Sequence, residues 1–204
     1  MEKYIKIKRK IDIVLAIALL ILLLPIFLVI STIIKIGSKG PIFFAHRRIG
    51  KNGKLIKVYK FRTMVPNAEE LIKNFNEEQM REYKDGFKLK NDPRVTKVGK
   101  ILRKTSLDEL PQLVNVIQGD LSLIGPRPIV EEELEKYGNK KQKLLSITPG
   151  ITGYWAAYNN PNTTYAERIE MELYYVDNIS LRLDFNIFLK TIRKVISRSL
   201  GGQG

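Results

Sequence analysis

The chain has 204 residues, a formal net charge of +14, one histidine and no cysteine. Without cysteine, disulfides, zinc thiolates and cysteine nucleophiles are excluded, and a single histidine argues against Ser-His or multi-histidine metal chemistry. The positive charge calls for an anionic partner, which is nucleic acid, an anionic membrane surface or a phosphorylated substrate. Any catalysis is therefore expected from carboxylates, lysine, arginine or an ion held by carboxylates.

An uncharged apolar run from Ile13 to Ile34 dominates the N-terminal part of the chain. As a helix it would be roughly 30 Å long or more, which is enough to cross a bilayer. The run is too long for a cleaved signal peptide, and no small-residue cleavage site follows it. Basic residues flank both ends, and Pro25 lies in the middle, where proline kinks a helix. This pattern is typical of a helix-break-helix hairpin with both ends in the cytoplasm, or of a plain signal-anchor helix.

Asp12 lies at the start of the apolar run, three residues after Arg9. That spacing lets the two side chains meet on one face of a helix. An unpaired carboxylate entering a membrane would be unfavourable. We therefore interpret Arg9 and Asp12 as a paired anchor at the membrane interface.

Two short strands are predicted on either side of the turn Lys51-Asn52-Gly53, because Asn-Gly is a strong hairpin signal. The second strand, Leu55 to Phe61, alternates apolar and basic residues. The single histidine, His46, falls in the first strand and is expected to be a half-buried polar side chain. The lysine-rich stretch at 88–106 could suit nucleic acid, but it has no aromatic residues for stacking on bases.

A helix is predicted from Asp108 to Gln118, and Pro111 is tolerated only near its start. Asp108 and Glu109 then fall at or before the first turn, where the helix dipole lowers the pKa of a carboxylate. An ionised Asp can hold a divalent ion or attack phosphorus as a nucleophile. The alternative is structural, because Ser106-x-x-Glu109 fits a capping box in which Glu109 only satisfies a backbone amide.

Two prolines hold Arg127 in an extended loop, and Gly125 allows close approach of the backbone. An arginine held in this way suits a bidentate grip on phosphate, although a plain surface arginine in a turn is the alternative.

Two helices are predicted near the C-terminus, from about Thr164 to Asp177 and from about Leu183 to Ser197. The second has an apolar stripe and a basic face, which is typical of a helix that covers a core or lies at a membrane interface. Trp155 and its tyrosine neighbours fit either an aromatic belt at the lipid headgroups or a plain core.

Four segments, taken in chain order, carry a resemblance to a known family. They are KRKID before the apolar run, YKFRTM, the long block from Asn91 to Pro128, and TPGITGYW. With these motifs the chain resembles the bacterial sugar transferases, the monotopic polyprenyl-phosphate phosphoglycosyl transferases. We expect the minimal, single-domain form of that family.

The resemblance implies an α+β fold with two parts. Residues 1–38 would form a re-entrant membrane helix-break-helix, with Arg9, Asp12 and Pro25 as its anchor and kink. Residues 39–204 would form a mostly helical cytoplasmic catalytic domain with a small β-hairpin or sheet and interfacial amphipathic helices. The expected location is the bacterial inner membrane, in contact with its lipids, with the catalytic domain on the cytoplasmic face. A homo-oligomer is left open.

The implied reaction is transfer of a sugar 1-phosphate from a nucleotide sugar, usually UDP-linked, to polyprenyl (undecaprenyl) phosphate, with release of UMP. It would be the first membrane step of glycan assembly. The resemblance implies a covalent phospho-sugar intermediate on Asp108, with Glu109 as the second acid of the dyad. It also implies Mg²⁺ dependence, with Asp108 as the metal ligand. The substrate-binding residues expected from the matched motifs are Lys60, Arg62, Asp92, Arg94, Arg103 and Arg127.

The chain departs from the family pattern in two places, and two other functions compete with it. Leu24 precedes Pro25 where the family commonly has serine, and Asn159-Asn160 replaces a frequent Gly-Arg pair, which leaves the donor sugar open. One rival is a metal-dependent membrane lipid phosphatase or pyrophosphatase. The other is a membrane-anchored nucleic-acid binder, which would need aromatic residues in the cationic stretch, so no nucleic-acid partner is expected.

Overall fold

The computed structural model describes residues 2–86, 89 and 91–199, and it is a mostly helical α+β structure. The α-helices are α1 (Glu2–Leu22), α2 (Leu24–Gly37), α3 (Glu77–Gly86), α4 (Lys97–Thr105), α5 (Gln112–Gln118), α6 (Glu131–Leu134), α7 (Lys141–Leu145), α8 (Tyr154–Tyr158), α9 (Tyr165–Asn178) and α10 (Leu181–Ser199). The strands are β1 (Phe43–Ile49), β2 (Leu55–Phe61), β3 (Ser122–Ile124) and β4 (Gly150–Thr152). The expected combination of helices with a small antiparallel sheet is confirmed.

The apolar run forms two helices, α1 and α2, and the helix axis bends by 61° at the break between them. Pro25 lies in the first turn of α2, where its missing N–H would have no helical partner. Leu23 occupies the N-cap position and no side chain caps the break. Among the residues that the structure describes, no single helix is long and apolar enough to cross a membrane, but the bent pair meets that test together. The break predicted at Pro25 is confirmed.

The bent pair packs against the rest of the protein along one side only. Ala16 of α1 joins a core with β2 and α5, and Ile30 and Ile34 of α2 pack on Phe61 of β2. Other apolar side chains of the pair are largely exposed, for example Ile21 at 71%. The two helices therefore carry an apolar surface that no described residue covers.

Strands β1 and β2 form an antiparallel hairpin with the predicted Asn-Gly turn. Asn52 and Gly53 both take left-handed backbone angles, with φ of 56° and 78°, which this residue pair adopts readily. The register places Lys60 opposite Phe44 and Arg48 opposite Ile56. Opposite residues share a face and faces alternate along a strand, so Lys60 and Arg48 point to the same side of the hairpin.

The C-terminal part surrounds a two-stranded parallel pair, β3 with β4. Helices α9 and α10 match the two predicted helices, with Tyr175 and Ile187 fully buried between them and the strands. The opposite side of α10 exposes Phe185, Phe188 and Ile192. This helix therefore covers the core with one face, as expected, and exposes apolar side chains on the other, while its place at a membrane interface stays a prediction.

Arg9 and Asp12 do not form the pair that their spacing suggested. The Arg9 guanidinium donates to the backbone oxygens of Val116 and Ile117, the latter at 2.9 Å, at the end of α5. Asp12 accepts a hydrogen bond from Ser122 Oγ at 2.6 Å. The prediction failed because the unpaired carbonyls at a helix C-terminus attract an arginine strongly.

A buried polar network joins α1 to the C-terminal helices. Lys8 Nζ lies 2.7 Å from Asp184 Oδ2, and the hydroxyls of Tyr4 and Tyr175 donate to the same carboxylate at 2.6 and 2.7 Å. Lys8 and Asp184 are each less than a tenth exposed. The N-terminal end of α1 is therefore fixed to α9 and α10 by charge and hydrogen bonds.

Candidate active site

Asp108 and Glu109 lie in a short 3-10 turn, residues 107–109, that precedes α5. The prediction that this helix starts at Asp108 is wrong. The prediction that it ends at Gln118, just before Gly119, is confirmed. Ser106 takes a left-handed conformation, φ 57°, which ends α4 and redirects the chain into the turn. The helix itself starts only after Pro111. The two acids are thus presented on a tight turn between two helices.

The capping box proposed for Ser106 and Glu109 does not form. The Ser106 side chain makes no capping hydrogen bond. The Glu109 carboxylate instead accepts a hydrogen bond from Lys60 Nζ at 2.6 Å. Glu109 therefore takes part in an ion pair with β2, and the purely structural interpretation of this acid loses its support.

Asp108 is buried, with 7% of its surface exposed, and its Oδ2 lies 3.9 Å from Lys60 Nζ. Burial raises the pKa of Asp108 above its usual value, and the nearby cations Lys60 and Arg103 oppose this only in part. The expectation that a helix dipole lowers this pKa is wrong. Asp108 lies outside α5, and desolvation disfavours its charged form more than the neighbouring positive charges favour it.

Arg103 reaches the site because α4 packs very closely on the segment after β2. A side chain at Gly99 would place its Cβ 2.0 Å from the backbone oxygen of Thr63, so only glycine fits there. Thr96 caps α4 by accepting a hydrogen bond from the Gly99 N–H at 2.9 Å. Arg103 Nε in turn donates to Thr63 Oγ1 at 3.0 Å. The local contacts of α4 therefore aim Arg103 towards Asp108.

Asp92 and Arg94 form a closed, buried ion pair. Arg94 donates through Nε at 2.8 Å and through Nη2 at 2.7 Å to the two carboxylate oxygens of Asp92. The rings of Phe75 and Tyr83 lie over the guanidinium at 5.2 and 5.0 Å. The substrate-binding role expected for this pair stays a prediction, since its strongest contacts are internal.

Arg62 holds the chain where it leaves α2. Its guanidinium donates to the backbone oxygen and hydroxyl of Ser38, at 3.0 and 2.8 Å, and to the backbone oxygen of Lys39. Its residue surface is only 7% exposed. These contacts give Arg62 a structural task, and its predicted contact with substrate stays a prediction.

The loop that carries Arg127 is fastened on both sides. Gly125 N–H donates to the Thr152 oxygen at 2.9 Å, and Arg127 N–H donates to Glu172 Oε2 at 3.1 Å. The Arg127 guanidinium carbon lies 5.9 Å from the centroid of the Trp155 ring. The backbone of the loop that carries Arg127 is therefore held on both sides, as expected, and Trp155 lies beside the guanidinium.

Two further arginines, Arg48 and Arg168, gather with Arg127, and we call these three the arginine cluster. Arg168 Nη1 donates to Glu133 Oε1 at 3.1 Å, and Arg48 Nη1 lies 3.7 Å from Glu133 Oε2. Neither Arg48 nor Arg168 was predicted from the sequence as a site residue. The only signal for Arg168 was its position four residues before Glu172 in α9, which places both on one helix face.

His46 lies on the hairpin face that carries Lys60 and Arg48. Arg48 Nη2 lies 3.1 Å from His46 Nδ1. Burial, followed by the charges of Arg48 and Lys60, lowers the pKa of His46 to about 4. The imidazole is therefore neutral at neutral pH, and the prediction of a half-buried polar side chain is confirmed.

Within residues 2–86, 89 and 91–199, no group of three or more His, Asp or Glu side chains is arranged to hold a metal ion. Asp108 and Glu109 supply two neighbouring carboxylates. This set is compatible with Mg²⁺, which commonly takes one or two protein carboxylates and completes its shell with water and substrate phosphates.

The chain is similar in sequence to known proteins over almost its full length. Residues 3–198 match the Bacterial sugar transferase family. The exopolysaccharide production protein ExoY of Sinorhizobium fredii is 45% identical over 191 residues, covering 92% of this chain and 84% of the relative.

Two longer relatives match over a part of their length. The undecaprenyl-phosphate galactose phosphotransferase of Salmonella typhimurium is 44% identical over 94% of this chain and 40% of its own. The UDP-glucose:undecaprenyl-phosphate glucose-1-phosphate transferase of Klebsiella pneumoniae is 41% identical over 92% of this chain and 39% of its own. The chain belongs to the bacterial sugar transferase family and is a transferase enzyme.

Proposed function

We propose that the chain transfers a sugar 1-phosphate from a UDP-sugar to undecaprenyl or a similar polyprenyl phosphate. The products are a polyprenyl-diphosphate sugar and UMP, in the first membrane step of glycan assembly. The names of the Salmonella and Klebsiella relatives, which state an undecaprenyl-phosphate sugar phosphotransfer, support this reaction class.

The observation that carries the proposal is the arrangement around Asp108. A buried carboxylate lies beside Lys60 and Arg103, while Glu109 is bonded to Lys60. A carboxylate can attack a diphosphate only if the negative charge of the phosphate oxygens is offset. Lys60 and Arg103 are placed to supply that compensation, and Glu109 holds the lysine in position.

The proposed reaction has two displacements at one phosphorus atom. In the first, an Asp108 carboxylate oxygen bonds to the phosphorus attached to the sugar, and the bond from that phosphorus to the bridging oxygen breaks, so that UMP leaves with this oxygen. In the second, an oxygen of polyprenyl phosphate attacks the same phosphorus, and the bond to Asp108 breaks. The carboxylate is regenerated, and each step forms and breaks one P–O bond.

Mg²⁺ is part of the proposal, with Asp108 as the protein ligand and the donor phosphates as the others. When bound, the ion would offset charge on the diphosphate. Lys60 and Arg103 would share that task, and Glu109 would hold Lys60 in place through their ion pair.

We also propose a re-entrant arrangement in the bacterial cytoplasmic membrane. The 61° break between α1 and α2, the exposed apolar surface of this pair and the basic residues at both ends support it. Residues 1–38 would lie in the membrane and residues 39–204 on the cytoplasmic side. The exposed apolar face of α10 would lie at the interface, which brings Asp108 to the level of the lipid phosphate.

The test is product analysis by mass spectrometry. Purified enzyme is incubated with undecaprenyl phosphate, Mg²⁺ and each member of a panel of UDP-sugars. We expect UMP and polyprenyl-diphosphate sugar in equal amounts with at least one donor, and neither product with Asp108→Asn. Release of inorganic phosphate from the lipid without any nucleotide sugar would support the rival phosphatase function instead.

A further inference from the structure

The arginine cluster contains buried hydrogen-bond donors without acceptors. Arg127 Nε and both Nε and Nη2 of Arg168 are enclosed, and no described residue accepts a hydrogen bond from them. Arg168 as a whole is only 8% exposed. Leaving a buried guanidinium donor unpaired is unfavourable, so such donors indicate a place for an absent acceptor.

The charges of the cluster point to an anionic acceptor. Three carboxylates lie near the three arginines: Glu133 contacts Arg168 and Arg48, Glu172 accepts the backbone N–H of Arg127, and Glu132 acts on Arg48 through its charge. Burial raises the pKa of Glu172 to about 7, so this group supplies only part of a negative charge at neutral pH. Burial, followed by the charge of the neighbouring Arg127, lowers the pKa of Arg48 to about 10, although Glu133 and Glu132 oppose this shift.

The geometry of the cluster suits a flat, rigid binding surface. The Trp155 centroid lies 5.9 Å from the guanidinium carbon of Arg127 and 4.6 Å from that of Arg168. The ring of Tyr165 lies 5.0 Å from Arg168 as well. Guanidinium groups that stack on aromatic rings lose little conformational entropy when they bind a phosphate. Their N–H donors lie in one plane and can contact two phosphate oxygens at once. Arg127, Arg48 and Trp155 are half-buried, so the cluster opens to solvent on their side.

The cluster lies beside the proposed reaction centre. Arg48, His46 and Lys60 share one face of the β1–β2 hairpin, and Lys60 contacts both acids of the site. A row therefore runs along this face from Lys60, beside Asp108, through the neutral His46 to Arg48, which contacts Glu133 together with Arg168. A substrate that carries more than one phosphate, or two substrates that carry one each, would contact both ends of such a row.

We propose that Arg48, Arg127 and Arg168, with Trp155 as the wall, form a second phosphate-binding site next to the Asp108 centre. This inference rests on the proposed function for its two candidate ligand sources. One source is the phosphate on the nucleotide side of the UDP-sugar, and the other is the phosphate of the polyprenyl acceptor. Because the Trp155 ring stacks on the guanidinium of Arg168, a phosphate bound at the cluster changes the surroundings of this ring.

The single tryptophan of the chain makes this site directly observable. Intrinsic fluorescence of Trp155 is followed during titration with inorganic phosphate, UMP and a water-soluble short-chain isoprenyl phosphate. We expect a saturable change for at least one probe with the unmodified enzyme, and an affinity weakened at least about tenfold in Arg168→Gln. Arg168→Lys keeps the positive charge but loses the planar pair of guanidinium donors. Its affinity for the probe should therefore lie between those of the unmodified enzyme and Arg168→Gln.

Arg47→Gln is the matched control, because Arg47 is exposed and lies on the opposite face of β1 from Arg48. It should bind the probes as the unmodified enzyme does. Thermal unfolding of each variant verifies that it is folded. Steady-state kinetics then separates the two sources: a raised KM for the UDP-sugar assigns the site to the nucleotide side, and a raised KM for the polyprenyl phosphate assigns it to the acceptor.

The proposal is overturned if no probe changes the fluorescence of the unmodified enzyme. It is also overturned if folded Arg168→Gln keeps probe affinities and both KM values within about twofold of the unmodified enzyme, a difference under about 0.5 kcal/mol. The cluster would then be a structural ion-pair network. If the unmodified enzyme binds phosphate but forms no product with any UDP-sugar, the phosphate site stands and the proposed function fails.

Discussion

Lys60 contacts both acids of the candidate site, with its ammonium 2.6 Å from Glu109 and 3.9 Å from Asp108. Burial raises the pKa of Asp108, and Lys60 is the strongest of the groups that lower it. A carboxyl group must be deprotonated to attack phosphorus. If Asp108 is the nucleophile that we propose, we expect the lysine to influence the pH below which activity is lost.

We predict that Lys60→Gln shifts the acidic limb of kcat/KM to higher pH by about one unit. Burial raises the pKa of Asp108, and the charge of Lys60 opposes this effect. Without that charge the pKa rises further, so Asp108 becomes protonated at a higher pH. Lys57→Gln is the control, because Lys57 is exposed and faces the other side of β2. An unchanged acidic limb in the Lys60 variant would show that Lys60 does not control the protonation of Asp108.

Arg127→Lys should lower turnover by about 100-fold or more. A lysine is a point charge and cannot replace a planar fork held in a fixed loop. The backbone N–H of residue 127 still donates to Glu172, so thermal unfolding should stay close to that of the unmodified enzyme. Near-normal turnover of this variant would make Arg127 an ordinary loop residue.

Much of the site was predictable at the residue scale because its motifs are continuous in sequence. Asp108, Glu109 and Arg127 were all proposed, and the structure shows the environment of each. The bond from Lys60 to Glu109 was not predictable, because β2 and the acidic turn meet only in the folded chain. The direction of the Asp108 pKa shift was missed for a similar reason, since burial depends on packing.

At the scale of elements, the predictions succeeded where local chemistry decides the backbone. Pro25 broke the apolar run and Asn-Gly made the hairpin turn, both as expected. The start of α5 was misplaced because Ser106 takes a left-handed conformation. That conformation is uncommon for serine and leaves no pattern in the sequence.

The α1–α2 pair makes a topology prediction at the element scale. Cysteines are placed singly at Lys3 and Lys39 in a chain that has no cysteine of its own. An impermeant thiol reagent added to intact cells should label neither, and both should react after the membrane is opened. Labelling of the Lys3 position alone from outside would indicate an ordinary spanning helix.

At the scale of the whole molecule, contacts between distant segments hold the α1–α2 pair to the body of the protein. Arg9 bonds to the end of α5, the helix that follows the acidic turn. Lys8 and Asp184 form the buried centre of the network that joins α1 to α10. Such long-range pairings were not predictable, because Lys8 and Asp184 lie near opposite ends of the chain.

Asp184→Ala should lower the free energy of unfolding by about 3 kcal/mol. The substitution leaves Lys8 buried without its counter-ion and removes the acceptor for two tyrosine hydroxyls. Denaturant unfolding in detergent measures the loss. Asp177→Ala is the control, because Asp177 pairs with Lys143 on the surface and should contribute less than about 1 kcal/mol. Equal stability of the two variants would contradict a structural role for the buried network.

The central claim is that Asp108 is a nucleophile, and the enzyme with UDP-sugar but without lipid acceptor tests it most directly. We expect about one UMP per enzyme molecule, and a mass increase of one phospho-sugar located at Asp108, under quenching conditions that preserve acyl phosphates. Asp108→Asn should show neither. Release of UMP only after polyprenyl phosphate is added, with no adduct on the protein, would contradict the claim and favour direct attack by the lipid phosphate.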